Sequence, residues 1–138
     1  MENKELYSKK FDNRFKINII KISEDEVIIE TDSEMIKLES YHSQDCCESV
    51  NADMATIKLY KEQLVDKYFN EIVVKGVKDM GFLLCFMGNT YENPNVKIFV
   101  PCYNSQNGYY SDNLELRINI GNTTTNVDLE GHIENDIC

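Results

Sequence analysis

The sequence predicts an α+β domain in which one main helix, over roughly residues 54–69, packs on a mostly antiparallel sheet of about six to seven strands. Three observations predict it. Short alternating or apolar segments, separated by Ser, Asp, Asn and Gly, recur along most of the chain, as hairpin-linked strands do. One stretch between them changes its apolar period to three and four residues. Two prolines and six glycines leave little room for linkers. At 138 residues and 42% hydrophobic, the chain fits a single domain, 1–138, with a real core.

The elements follow in order. "FKINIIKI" (Phe15–Ile22) reads as a strand, "SEDE" as a turn, and "VIIET" (Val27–Thr31) as a second strand. After the turn "TDSE", "MIKLESYH" (Met35–His42) alternates cleanly as a third. In the helical stretch, Ile57, Tyr60, Leu64 and Tyr68 recur at helical spacing, Val65 and Phe69 widen the stripe, and Asp53 is placed to cap it. Strand signals resume over Glu71–Met80. The continuous apolar run in Gly81–Asn89 suggests a central strand buried on both faces, with Cys85 as a small buried hydrophobe. Val96–Asn104 is a strand whose Pro101 belongs at an edge or bulge. Asn107-Gly108 marks a hairpin turn. Asp112–Ile120 then places Leu114, Leu116, Ile118 and Ile120 on one face. The N-terminal stretch 1–14 is compatible with a flexible arm and 122–138 with a disordered acidic tail.

Composition excludes several classes of function. No apolar run approaches the ~20 residues that span a bilayer, and the charged N-terminal stretch shows no secretory h-region. Five cysteines, two of them adjacent, argue for reduced thiols in the cytosol; a vicinal Cys46–Cys47 disulfide would close a strained ring. The net charge is −10. Met1–Ile22 carry six Lys or Arg against three Asp or Glu, and the remainder eight against 21. A body this acidic repels nucleic acid and membrane surfaces and is drawn to basic ones, although solubility alone also explains acidity.

The stretch "YHSQDCCESV" (Tyr41–Val50) holds the densest set of chemically capable side chains. On a regular strand His42, Gln44, Cys46 and Glu48 face one way and Ser43, Asp45 and Cys47 the other, so both thiols cannot reach one metal without a bulge. A zinc site would need His42 and Cys46, completed by Cys102 or His132, and lacks a second Cys pair. A nucleophilic thiol at Cys46 or Cys47, paired with His42, would sit among acids that raise its pKa. The plainer reading is one core cysteine among polar groups that fix a strand's register. No P-loop, G-x-G-x-x-G, H-E-x-x-H or EF-hand motif is present, so no catalytic residue, cofactor or metal is assigned. Tyr103, Tyr109 and Tyr110 could stack on a base or a partner, or form cross-strand pairs. Lys9, Lys10, Arg14 and Lys16 could hold a phosphate or form a solvated face.

His42, Gln44, Asp45, Cys46, Cys47 and Glu48, followed by Asn107, Gly108, Tyr109, Tyr110 and Ser111, resemble an uncharacterised family of small phage and bacterial proteins. Its members carry an H-x-Q-D-C-C-E run and a later N-G-Y-Y-S segment. The resemblance spans about residues 30–120 and implies a phage or mobile-element setting in the host cytosol, without a mechanism. A small acidic domain in that setting is expected to be a binding protein and not an enzyme. The form favoured is a counter-defence inhibitor of the anti-CRISPR kind, which fills the basic nucleic-acid groove of a host defence protein. The expected contacts are Glu24, Asp25, Glu26, Asp32, Glu34, Asp128, Glu130, Glu134 and Asp136, with no direct nucleic-acid or membrane binding. The alternatives are a metal- or thiol-dependent module built on His42, Cys46 and Cys47, and a nucleotide-sequestering sponge built on Tyr109 and Tyr110.

Overall fold

One strand, β1 (Asn3–Ile22), is 20 residues long and joins the two halves of a single sheet. The structure is a computed structural model and describes residues 3–41, 50–104, 114–129 and 131–135. The first half of β1 pairs antiparallel with β5 (Tyr68–Val77); the second half pairs antiparallel with β2 (Glu26–Thr31). The register slips between Glu5 and Tyr7 and between Lys10 and Phe15 on the β5 side, and between Ile17 and Ile19 on the β2 side. Each extra residue resets which face a side chain takes. That is how Ile17 and Ile20, three apart, are both buried, which a regular period of two forbids.

The other strands extend the sheet on both sides. They are β3 (Met35–Tyr41), β4 (Val50–Ala52), β6 (Gly81–Met87), β7 (Val96–Asn104), β8 (Glu115–Ile120), β9 (Thr123–Asp128) and β10 (Glu134–Asn135). Their order is β10-β7-β6-β5-β1-β2-β3-β8-β9, with β4 paired to the end of β7. Every pairing is antiparallel except the short β7–β10 ladder. The inner faces of both halves meet in one hydrophobic cluster that includes Phe15, Ile29, Leu38, Ile72, Phe82, Ile98 and Leu116. Phe69 links Phe15 and Phe86 there, with ring centroids 6.3 and 5.7 Å away. Burying each such side chain contributes about 1.5–3 kcal/mol.

The mostly antiparallel sheet is as expected, but there are ten strands among the described residues and the helix is short. Met54–Tyr60 is a 3-10 segment and α1 (Lys61–Leu64) a single α turn. Ile57 and Leu64 are buried as the stripe required, while Tyr68 and Phe69 lie in β5. The helix stops because Val65 turns extended (φ −67°, ψ 136°) and Asp66 takes φ 66°. There β1 captures the backbone: Asp66 N–H donates to Ile17 C=O (2.7 Å) and Ile17 N–H to Lys67 C=O (3.1 Å). Asp53 precedes the 3-10 segment but its side chain caps nothing.

The stretch read as a flexible arm is strand as far as it is described, Asn3–Arg14 lying within β1. In the stretch read as a disordered tail, Thr123–Asp128 and Glu134–Asn135 are strands. Pro101 sits in β7 opposite Gly81, and its carbonyl accepts Asp53 N–H (2.8 Å) on the side away from β6. A strand residue's N–H and C=O point the same way, so the missing N–H falls on that outer side. Cys85 is buried, and Leu114, Leu116, Ile118 and Ile120 share the core face.

Gly88 follows β6, and a Cβ there would lie 1.9 Å from the Asn93 carbonyl oxygen. Asn93 Oδ1 in turn accepts Tyr68 N–H (2.9 Å), which fixes the start of β5. Gly88→Ala is therefore expected to destabilise by about 2 kcal/mol or more, read as a lower urea midpoint at unchanged m-value.

Candidate functional site

Strand register gathers carboxylates at one end of the β2–β3–β8–β9 face. Glu26 stands opposite Glu39, Glu39 opposite Arg117, and Arg117 opposite Asn126. Two residues further along, Tyr41 pairs with Glu115 and Glu115 with Asp128. The turn carrying Glu24 and Asp25 closes the same end, because Ser40 N–H donates to Asp25 C=O (2.8 Å). The alternation that buries Leu38, Leu116 and Ile118 is what puts Glu39, Arg117 and Glu115 on the outer face.

Glu26, Glu39, Glu115 and Asp128 thus share two adjacent rows, spaced by the ~4.8 Å between strands, and Glu24 and Asp25 lie in the turn at their end. Two are offset locally: Lys37 Nζ lies 3.3 Å from Glu26, and Arg117 lies 4.0 Å from Glu39 while stacking 3.8 Å from the Tyr41 ring centroid. Glu24, Asp25 and Glu115 form no ion pair among the described residues. The charge difference extends to whole halves of the sheet. Residues 17–41 and 114–129 hold three Lys or Arg against nine Asp or Glu, whereas residues 3–16 and 68–104 hold eight against five.

The acids expected from sequence therefore divide among separate places. Glu24, Asp25, Glu26 and Asp128 come together. Asp32 and Glu34 lie at the other end of β2, about 20 Å away at the rise of a strand. Asp32 is also structurally engaged, its Oδ1 accepting Lys16 N–H (2.9 Å) and its N–H donating to Lys16 C=O (3.0 Å). The Glu34 carboxylate packs on Gly121. Glu134 is in β10, opposite Tyr103. Glu130 and Asp136 lie outside the described residues. Glu39 and Glu115 are the members that sequence reasoning missed. Alternation marks both as outward-facing, but only the β3–β8 register brings them beside the first turn.

His42, Gln44, Asp45, Cys46, Cys47, Glu48, Tyr109, Tyr110 and Ser111 also lie outside the described residues. The strands from which the two motif segments depart are described, and they are neighbours twice over: Tyr41 pairs with Glu115, and Val50 with Asn104. Among the described residues no group of three or more His, Cys, Asp or Glu could hold a metal ion. Cys102, once a candidate ligand, is in the core with its thiol pushed up to about 12 by burial. Burial also raises Cys85, against the pull of Lys75 and Lys97. His132 packs on β5, where a Cβ on Gly76 would meet its ring at 2.2 Å. Burial lowers its pKa and Lys4 adds to the effect, while Asp128 and Asp79 oppose it. No helix among the described residues is long and apolar enough to cross a membrane.

Compared with known proteins, the chain matches no family model, no curated protein and no solved structure.

Two expectations follow. The unfolded chain protonates His132 near its ordinary value of 6.5, and the folded chain only at lower pH. Unfolded protein then binds more protons in that interval, so the contribution of His132 is complete above about pH 7 and is lost as pH falls through 6.5 toward the folded value. His132→Gln is expected to flatten the pH dependence of urea midpoints between pH 7 and 5.5. Cys102 is expected to resist iodoacetamide at pH 8 in native protein and to react once urea unfolds it, read by peptide mass spectrometry.

Proposed function

We propose that this chain is a binding protein whose acidic end, around Glu24, Asp25, Glu39, Glu115 and Asp128, docks on a basic groove of another protein. The observation that supports this is the gathering of six carboxylates, four on adjacent rows and two in the turn at their end, with Lys37 and Arg117 set among them. Like charges directly opposite across strands, as Glu26 and Glu39 are, destabilise a sheet. Cations from a partner relieve that repulsion on docking, and the field of the acidic half speeds encounter.

A groove built for a nucleic-acid backbone offers the matching charge, since it presents Lys and Arg in rows. The partner class is a host defence protein with such a groove, and the chain acts there as an occupant that excludes nucleic acid, an inhibitor and not an enzyme. Residues Glu26 and Glu39, already paired, contribute less than Glu24, Asp25 and Glu115, because their charge is partly spent within the fold.

The test is binding to a purified, guide-free CRISPR effector nuclease by surface plasmon resonance. Affinity is expected to fall at least about tenfold between 50 and 300 mM salt. The triple variant Glu24→Gln, Asp25→Asn, Glu115→Gln is expected to slow association, whereas Glu5→Gln with Glu71→Gln on the other half leaves it unchanged. Absence of binding, salt-insensitive binding, or equal effects from both variants would overturn the proposal.

A further inference from the structure

The largest irregularity in the sheet opens a second candidate site in the oppositely charged half. Lys10 pairs with Glu71 and the next pair is Phe15 with Phe69. Four residues of β1, Phe11 to Arg14, therefore stand opposite one residue of β5, Asn70. So large a bulge parts the strands and leaves Asn70 without a cross-strand partner. Its Oδ1 is buried and has no hydrogen-bond partner among the described residues. A buried acceptor without a donor is uncommon in folded proteins and marks a place where a donor is missing.

Two clefts flank the bulge and share Lys10 and Phe11. One, of about 210 Å³, is lined by Lys10, Phe11, Asn70, Glu71 and Asn89. The other, of about 270 Å³, extends past Lys9, Asp12 and Asn13 to Ser33 and Glu34. Each is a little smaller than the ~300–1,000 Å³ typical of small-molecule sites, and Phe11 stands between them. The Phe11 ring is half-buried, held by an edge contact with Phe15 (4.8 Å between centroids), and Lys9 Nζ lies 5.4 Å from its centre. Lys9 and Lys10 form no ion pair among the described residues.

We infer that the bulge is a nucleotide site selective for a base with an exocyclic amine, such as adenine or cytosine. The assignment follows from the order of the groups. Phe11 offers a π-face at the junction of the clefts, on which any base can stack. Asn70 Oδ1 and the Glu71 carboxylate are acceptors at one end. They suit an amine and are mismatched to a base with a carbonyl in its place. The last side-chain torsion of Asn70 is soft, so the amide can turn its oxygen to the cleft wall, and Glu71, whose carboxylate only accepts, makes an amine the matched group there. Asp12 and Glu34 offer carboxylates to ribose hydroxyls, and Lys9, beside Phe11, holds the phosphate. The site lies in the half of the sheet with excess Lys and Arg, so an anionic ligand is not turned away by the acidic half.

The test is thermal shift and calorimetry on the full chain at 50 mM salt with AMP, CMP, IMP, UMP and inorganic phosphate. AMP and CMP are expected to raise the Tm by mass action. IMP and UMP, which carry a carbonyl where the others carry the amine, are expected to bind at least about tenfold more weakly. Phosphate alone is expected to give no shift. Asn70→Leu removes the orphan acceptor at similar size, so it is expected to fold and to abolish the preference for AMP over IMP. Lys9→Ala is expected to weaken all four nucleotides alike. The inference is overturned if no nucleotide raises the Tm, if phosphate alone does so equally, if AMP and IMP bind alike, or if Asn70→Leu keeps the preference.

Discussion

The architecture depends on one constraint: β1 has to satisfy two different partners along a single run of backbone. Its first half completes a ladder with β5 and its second half with β2, so the sheet turns from one half to the other inside one strand. A regular strand could not do this and still bury Phe15, Ile17 and Ile20 in the common core. Register slips supply the freedom, at the cost of unpaired backbone and of one unsatisfied side-chain oxygen at Asn70. The strand that joins the halves therefore also carries the largest break in register among the described residues.

The same strand governs the electrostatics. Lys4, Lys9, Lys10, Arg14 and Lys16 lie in the part of it that runs beside β5, with Lys21 alone beside β2, while the acids of β2, β3, β8 and β9 lie on the far half. Read along the chain, the excess positive charge belongs to a terminal stretch and the negative charge to everything after it. In space, the protein is two oppositely biased halves of one sheet. An acidic end and a basic cleft can coexist because screening in salt limits each to its own surroundings.

Local pattern served best where one face of a strand is buried and the other is wet. Burial alternates without exception along Met35–Tyr41 and Glu115–Ile120: Ile36, Leu38, Leu116, Ile118 and Ile120 are in the core, while Met35 and Tyr41 lie on the outer face. The apolar run of Gly81–Met87 is an interior strand of the sheet, with Phe82, Leu84 and Phe86 in the core and Cys85 buried outside it, but burial on both faces is incomplete because Leu83 and Met87 are only half-buried. Pattern misled between Met54 and Phe69. Ile57 and Leu64 do point inward on helical turns, but the stripe continues into β-branched and aromatic residues that suit a strand, and hydrogen bonds to Ile17 decide where the change occurs. In Thr123–Asp128 only Val127 is buried, so β9 had no apolar rhythm to announce it; β8 makes it a strand by offering a ladder.

By itself, the sequence determined a mostly antiparallel sheet, the identity of most core side chains and an excess of acid, because burial and solvation act residue by residue. Tertiary structure alone decided which acids stand together, that the first fourteen positions include part of a central strand, and that Asn70 faces four residues instead of one. Those depend on register between strands far apart in the chain, and a period of two specifies the face of a residue but not its neighbour on that face.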